Sequence, residues 1–189
     1  MRKIDSINQL RSFGLRTAEV KEFKHDELSE MTDYACLLMS KHGTFNVRTD
    51  TGDGVKNFNL PFIRNCTIEQ LRKLVSDYGS KITYLIHQDI PVGNQLFNGV
   101  LRLCDGYVIG EVNDVDRTSL RSGMKVSKNL KLVCTKGNDP LFTKIKQDLL
   151  KVSADFWVEL SAYNDNSLIY WQLVPEKMTG LLKGLFIKH

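Results

Sequence analysis

Apolar positions recur with a helical period in four segments and with a strand period in the segments between them. The helical spacing predicts helices over residues 5–13, 25–42 and 67–78, and a fourth over residues 141–152. Thr67 and Gln70 have the spacing of a capping box at the start of the third helix. The β-prone runs predict strands over residues 17–23, 45–48, 81–87, 95–103, 107–112, 130–133, 156–163 and 168–176.

This order of elements predicts an α+β protein with two lobes, mixed and antiparallel sheets, and a ligand cleft between the lobes. We expect one domain, in which residues 1–80 form an N-terminal lobe with a glycine loop and residues 81–189 form a hairpin-rich C-terminal lobe. Asp105-Gly106 is a tight-turn pair between two predicted strands. A four-residue polar turn at residues 164–167 joins the last two.

The last hairpin carries two polar side chains with a clear chemical use. Because strand side chains alternate, Glu159 and Gln172 can face the same side of an antiparallel pair. A carboxylate beside an amide oxygen suits a hard cation, such as Mg²⁺ that carries the phosphates of a nucleotide. The alternative is that both residues face solvent in an ordinary hairpin.

The loop after the strand at Phe45 is a second candidate. Gly52 and Gly54 lie among small polar residues, so the backbone N–H groups there can approach a phosphate. Arg48 precedes this loop and Lys56 follows it, which adds positive charge. A plain surface loop would show the same pattern.

Composition and charge narrow the classes of partner. The net charge of +4 fits an anionic ligand, and no dense Lys/Arg run with interleaved aromatic residues indicates DNA binding. The four cysteines are far apart and form no CxxC pair, so we expect buried free thiols and not a zinc or redox site. No apolar run predicts a signal peptide or a membrane span, so we expect a reducing, cytoplasmic setting.

Several segments resemble motifs of the ATP-grasp superfamily, most closely the nucleotide-binding domain of phosphoenolpyruvate synthase and pyruvate phosphate dikinase. Lys3 lies at the matching distance before Gly14-Leu15, although the glycines that flank this lysine in the family are missing. Val47-Arg48-Thr49-Asp50 resembles the element that supplies an arginine to the phosphates. Residues 85–90 resemble the hinge whose backbone contacts adenine, and Asp105-Gly106 with Glu111 resembles a later strand and its turn.

The last hairpin resembles the final motif of the same family. Glu159 matches a glutamate in the first strand, and Gln172 matches a glutamine in the second. In the family these two residues hold metal and phosphate. Val174 occupies the position of a phosphate-binding arginine, and no segment resembles the phosphohistidine domain or the pyruvate-binding barrel of those enzymes.

The resemblance implies ATP and Mg²⁺ as cofactors and a phosphotransferase or ligase activity, which acts by positioning and charge neutralisation. A partner protein or a small molecule would supply the phosphoryl acceptor. Arg48 would be the catalytic residue, and Glu159 and Gln172 would bind the metal. The residues implied to bind the nucleotide are Lys3, Arg48, Gly52, Gly54, Gln88, Asp89, Ile90, Glu111 and Gln172.

Two other interpretations stay open. Val174 and the altered segment around Lys3 also fit a degraded ATP-grasp scaffold that acts as a non-enzymatic binding or regulatory protein. An unrelated α+β domain with chance matches is the third interpretation. His87 fits a hydrogen-bonded core histidine better than a catalytic base, and the basic loop at residues 117–128 fits either a lid or a solvated segment.

Overall fold

Two antiparallel sheets organise the part of the chain that the structure describes. The structure is a computed structural model, and it describes residues 1–51, 60–89, 95–113, 131–132, 139–153 and 155–175. The chain divides into two units, Met1–Ser6 with Ala18–Pro91 and Ile7–Thr17 with Val92–His189. Each unit contains one sheet and its own apolar core. The predicted α+β class with antiparallel sheets is therefore confirmed.

The first unit contains four strands and two long helices. Helix α1 starts in this unit and continues into the second. In chain order the elements are α1 (Lys3–Ser12), β1 (Val20–Phe23), α2 (Leu28–His42), β2 (Phe45–Asp50), β3 (Phe62–Ile63), α3 (Ile68–Tyr78) and β4 (Thr83–Gln88). Short 3₁₀ turns at His25–Glu27 and Gly79–Lys81 precede α2 and β4. The strands are antiparallel in the order β1–β4–β2–β3.

One face of this sheet packs against α2 and α3. The helical period places Met31, Ala35 and Leu38 of α2 in the core, as the sequence predicts. Tyr78, which the predicted apolar stripe of α3 includes, is 37% exposed instead, because it lies in the last turn beside the Gly79 C-cap. The core residues of α3 and the sheet are Leu71, Leu74, Val75, Phe45, Val47, Tyr84 and Ile86.

Two predicted boundaries in this unit differ from the structure. Thr49 and Asp50 were expected in the glycine loop, but they continue β2 and pair with Tyr84 and Thr83. The sequence analysis predicts this strand, β4, in the second lobe, which starts at residue 81. It pairs with β1 on one side and with β2 on the other, so it belongs to the first unit. Local sequence patterns do not report such pairings between distant segments.

The second unit contains the end of α1, a second helix and a five-stranded sheet. Its elements are β5 (Gln95–Cys104), β6 (Tyr107–Asn113), β7 (Lys131–Leu132), α4 (Pro140–Leu149), β8 (Phe156–Tyr163) and β9 (Leu168–Pro175). The strands are antiparallel in the order β7–β6–β5–β8–β9. Within the described residues, no helix is long and apolar enough to cross a bilayer.

Helix α4 and the end of α1 cover one face of this second sheet. Leu141, Ile145 and Leu149 recur along α4 and are all buried against the sheet. The same core also contains Leu10, Leu15, Leu101, Val108, Val112, Val158, Leu160 and Leu173. The predicted tight turn between β5 and β6 forms at Asp105 and Gly106, whose φ angles are 48° and 80°.

Tyr170 connects β9 to two other parts of the second unit. Its N–H donates to the Arg16 carbonyl over 2.8 Å, and its hydroxyl donates to Asp148 Oδ2 on α4 over 2.9 Å. Burial and the nearby Asp148 carboxylate raise the pKa of the Tyr170 phenol, so the hydroxyl keeps its proton and stays a donor. Tyr170 therefore holds β9 against both the segment after α1 and α4.

The cysteines follow the sequence expectation only in part. Cys66 is a buried free thiol, and burial raises its pKa to about 11. Cys36 is exposed, so the expectation of burial is wrong for this residue, which lies on the solvent side of α2 between buried Ala35 and Leu38. Cys104 is partly exposed, and Cys134 lies outside the described residues.

The capping box at the start of α3 gives a test of the local fold. Thr67 Oγ1 accepts from the Gln70 N–H over 3.2 Å, and the Thr67 N–H donates to Gln70 Oε1 over 2.9 Å. We expect Thr67→Ala to lower the free energy of unfolding by about 1 kcal/mol, because an N–H of the first turn loses its acceptor. Urea denaturation measures this change.

Two further variants complete this test. Ser76→Ala removes an exposed hydroxyl from the same helix and should change stability by less than about 0.5 kcal/mol. Thr67→Ser keeps the capping oxygen and should stay close to the wild type. An equal loss in Thr67→Ala and Ser76→Ala would contradict the role of the cap.

Candidate functional site

Glu159 on β8 and Gln172 on β9 lie directly opposite each other in the sheet register. Opposed residues of an antiparallel pair project from the same face, with Cβ atoms about 4.5–5.5 Å apart. The register therefore places a carboxylate beside an amide on one face, as the alternation of the two strands predicts. Since each side chain offers an oxygen, the two can share one cation.

The same row continues across two more strands. Val100 on β5 pairs with Glu159 on one side and with Glu111 of β6 on the other. Glu111, Val100, Glu159 and Gln172 thus form one line across the sheet, which we call the carboxylate row. At the usual strand spacing the backbones of Glu111 and Glu159 are about 10 Å apart.

The carboxylate row lies on the face of the sheet that is turned away from α4. Leu101 and Val158 are the chain neighbours of Val100 and Glu159, and both belong to the core that contains α4. Because successive side chains of a strand point to opposite faces, the row occupies the other face. The apolar face thus stabilises the sheet, while this second face is available for polar chemistry.

Burial sets the electrostatics of the row. Glu159 is only 6% exposed, and Glu111 is partly buried. Burial raises the pKa of the Glu111 carboxyl above its ordinary value of 4.5. Desolvation makes a negative charge costly at this position, and a bound cation would offset that cost.

Polar and aromatic side chains flank the row on both sides. Two residues along each strand in one direction are Asn98 and Ser161, and Ser161 Oγ donates to Asn98 Oδ1 over 2.6 Å. Two residues along in the other direction are Arg102 and Trp157, and the Arg102 guanidinium carbon is 5.8 Å from the Trp157 ring centroid. The alternation of side chains along β8 is enough to predict that Ser161 and Trp157 share the face of Glu159. That Asn98 and Arg102 lie beside them can be predicted only when the β5–β8 register is known.

A β-bulge in β9 brings one more residue to this face. Gln172 pairs with Glu159 and Tyr170 pairs with Leu160, so Trp171 is the extra residue. The Trp171 indole N–H donates to Ser161 Oγ over 2.7 Å. Bulges are common beside binding sites because they redirect a side chain. The sequence analysis did not predict this bulge.

Arg48 lies in the first unit, on the face of its sheet that is turned away from α2 and α3. Its neighbours Val47 and Thr49 point the other way, and Val47 belongs to the helix-packed core. The Arg48 guanidinium carbon is 4.7 Å from the Phe62 ring centroid, and that of Arg64 is 5.5 Å from it. Two cations therefore share one aromatic ring on this sheet.

Gln88, at the end of β4, is held by several hydrogen bonds. Its N–H donates to the Glu19 carbonyl over 2.8 Å, and its side-chain oxygen accepts from the Glu19 N–H over 3.2 Å. Its carbonyl oxygen lies 3.0 Å from His87 Nδ1. The N–H is thus committed to the sheet, whereas the carbonyl can accept a second bond. Asp89 Oδ1 accepts from Asn46 Nδ2 over 2.9 Å.

The remaining predicted site residues lie in different places. Lys3 is the first residue of α1 and is partly buried in the first unit. Its neighbour Arg2, which the sequence analysis did not single out, forms ion pairs with Glu22 and Asp50. Gly52, Gly54, Ile90 and the whole loop at residues 117–128 lie outside the described residues.

The donor set of the carboxylate row fits magnesium better than a metal with several protein ligands. In the described ranges, no group of three or more His, Cys, Asp or Glu side chains is arranged to hold a metal ion. Magnesium usually takes only one or two protein oxygens and completes its coordination with phosphate and water. Glu159 with Gln172 provides such a pair, so the residues present fit a magnesium ion that arrives with a phosphate ligand.

Comparison with known proteins assigns the fold. No family model and no curated protein matches the sequence. Solved structures do match, among them a macrocyclase from Microcystis aeruginosa bound with its precursor peptide, with a TM-score of 0.57 and 11% identity over 91% of this chain. An ATP-grasp ligase from Chryseobacterium gregarium, in complex with ADP and a leader and core peptide, matches at 0.56 and 12% over 88%. D-alanyl-alanine synthetase A from Vibrio cholerae matches at 0.58 and 9% over 92%.

These similarities show an ATP-grasp-like fold, as the sequence motifs predict. The chain spans about half of each matched structure, namely 51%, 49% and 54%. The reported structures are a macrocyclase, an ATP-grasp ligase and a D-alanyl-alanine synthetase, whereas the sequence motifs resemble phosphoenolpyruvate synthase and pyruvate phosphate dikinase most closely. That narrower resemblance stays a prediction.

The close contact between β5 and β6 gives a test of the geometry of the row. A Cβ added at Gly110, next to Glu111, would lie 2.1 Å from the Val100 carbonyl oxygen. We expect Gly110→Ala to lower the free energy of unfolding by about 3 kcal/mol, because the strands must separate to admit the methyl group. Chemical denaturation measures the loss.

Gly99→Ala is the matched variant on the facing strand. A Cβ there would meet side-chain atoms of Leu101 and Val112 at 3.2 Å, and these can shift. We therefore expect a loss of about 1 kcal/mol. If Gly110→Ala lowered the free energy of unfolding no more than Gly99→Ala does, that result would contradict the close approach of β6 to β5.

Proposed function

We propose that this protein is an ATP-dependent, ligase-like module that binds a magnesium nucleotide at the carboxylate row. The observation that carries the proposal is the alignment of Glu111, Glu159 and Gln172 on one face of a sheet with an ATP-grasp-like fold. Oxygen donors in a desolvated row favour a divalent cation and its phosphate ligands.

Each predicted site residue has a role in this proposal. Glu159 and Gln172 would hold Mg²⁺, and Glu111, at the other end of the row, is proposed as a further nucleotide contact. Arg48 neutralises phosphate oxygens and is the proposed catalytic residue. Lys3, Gly52 and Gly54 are proposed as further phosphate contacts, and the Gln88 carbonyl, Asp89 and Ile90 as the adenine-binding backbone.

The chemistry asked of these residues is positioning and charge neutralisation. When bound, the metal ion supplies positive charge next to the phosphates. The side chains hold that ion, fix the orientation of the phosphates and exclude water from the buried row. This reaction class needs no protein nucleophile.

We propose that a separate molecule supplies the acceptor of the activated phosphoryl group. The Microcystis macrocyclase is bound with a precursor peptide, and the Chryseobacterium ligase is in complex with ADP and a leader and core peptide. These complexes support a partner protein or peptide, while D-alanyl-alanine synthetase A supports a small molecule as the alternative. The sequence motifs suggest a phosphotransferase activity, which would be a more specific form of the same proposal.

Val174 supports a second candidate, a non-enzymatic binding or regulatory scaffold. It pairs with Trp157 on β8, in the strand of Gln172. In the family that the sequence resembles, an arginine that binds phosphate occupies this position. An apolar side chain there removes a charge that a phosphoryl-transfer enzyme would use, so a scaffold would keep the fold but have weak or no nucleotide turnover.

Calorimetric titration with ATP tests the proposed function. We expect binding to the wild type in the presence of Mg²⁺ and its loss when a chelator removes the metal. Glu159→Gln should weaken Mg-ATP binding by about tenfold or more, because the variant removes the charge that attracts the cation.

Glu69→Gln is the matched variant, since it removes one carboxylate from the exposed side of α3. It should bind Mg-ATP within about twofold of the wild type. Absence of binding at millimolar Mg-ATP would overturn the proposed function. Binding without any ATP hydrolysis, with or without candidate acceptors, would favour the scaffold.

A further inference from the structure

Asn98, Ser161 and Trp171 form a buried hydrogen-bond chain beside the carboxylate row. Asn98 is 1% exposed and Ser161 is fully buried. The Trp171 indole N–H donates to Ser161 Oγ over 2.7 Å, and Ser161 Oγ donates to Asn98 Oδ1 over 2.6 Å. Buried polar side chains are usually hydrogen-bonded, and a satisfied network of them fixes the orientation of its members.

The direction of this chain fixes the orientation of the Asn98 amide. An indole N–H can only donate, so Ser161 Oγ accepts from Trp171 and its own proton is free to go to Asn98. The separation of 2.6 Å is typical of an O–H···O bond and short for a bond from an amide nitrogen. Asn98 therefore presents Oδ1 to Ser161 and Nδ2 in another direction.

Asn98 Nδ2 is a buried donor without a hydrogen-bond acceptor among the described residues. An unmade hydrogen bond of this kind is costly, and native structures keep few of them. Asn98 lies two residues from Val100 on the same face, which is about 7 Å along β5. The unsatisfied donor is therefore one row away from Glu111 and Glu159.

We infer that Asn98 is a nucleotide-binding residue whose Nδ2 donates to a phosphate oxygen of the Mg-nucleotide held at the carboxylate row. This inference rests on the proposed function and adds a neutral donor to it. A phosphate oxygen is the anionic acceptor that a cation bound by Glu159 and Gln172 would bring to this face. Ser161 and Trp171 are positioning residues, since they hold the Asn98 amide in the donating orientation.

Two Asn98 variants and two ligands test the inference. Asn98→Ala removes the donor, and Asn98→Leu removes it at similar volume. Mg-ATP and magnesium tripolyphosphate are titrated into each variant and into the wild type. We expect both variants to bind both ligands about tenfold or more weakly, because a hydrogen bond to a charged oxygen is lost. Both variants also remove Oδ1, the acceptor of the Ser161 hydroxyl, so we expect a lower melting temperature, with a cooperative transition that shows each unliganded variant to be folded.

Asn164→Ala is the matched variant, because it removes the same amide from the exposed turn between β8 and β9. It should bind both ligands like the wild type. If Asn98→Ala or Asn98→Leu is folded and binds both ligands within about twofold of the wild type, the inference is overturned while the proposed function stands. Wild-type binding of tripolyphosphate without binding of ATP would overturn both the proposed function and the inference, because the inference needs a bound nucleotide. Failure of the wild type to bind either ligand would overturn both.

Discussion

The antiparallel register of β5 with its two neighbours determines which side chains of the second unit meet. Val100 pairs with Glu111 and with Glu159, and Glu159 in turn pairs with Gln172. A shift of one residue in any of these pairings would move the polar side chains into the core beside α4. The apolar face prevents that shift, because Leu101, Val158 and Leu173 are all buried against helices or neighbouring strands. The same alternation thus stabilises the sheet and aligns the candidate site.

Desolvation connects this arrangement to ligand chemistry. Burial raises the pKa of the Glu111 carboxyl, because a negative charge is costly where water is excluded. A divalent cation with its phosphates would offset this cost, and the unsatisfied Nδ2 of Asn98 would find an acceptor in the same ligand. Under the proposed function both features have the same explanation, namely a face that binds an anionic ligand and its metal ion.

The sequence predicts most of the local structure and the shared face of two candidate site residues. Helical spacing places Met31, Ala35 and Leu38 in the core, and the Asp105-Gly106 pair predicts the turn that the structure contains. The shared face of Glu159 and Gln172 follows from alternation in a hairpin whose strands are adjacent in sequence. The ATP-grasp-like fold also follows from the sequence motifs.

What the sequence could not predict depends on contacts between distant segments. The pairing of β4 with β1 and β2 moves it into the first unit, and the pairing of β5 with β8 brings Asn98 to Ser161. The bulge at Trp171 likewise has no local signature, since an extra residue in a strand is visible only against its partner. Residue spacing reports periodicity within one element, whereas the site is completed by register between elements.

Paramagnetic NMR with Mn²⁺ in place of Mg²⁺ tests the central claim most directly. Manganese that enters with ATP should broaden the amide signals of Val100, Glu111, Glu159 and Gln172 first, and Glu159→Gln should reduce that broadening. The signal of Asp165, in the turn six residues beyond Glu159 and about 20 Å along the strand direction, should broaden less at the same concentration. Broadening that is strongest outside the carboxylate row, or that Glu159→Gln leaves unchanged, would contradict the assignment of this row as the metal–nucleotide site.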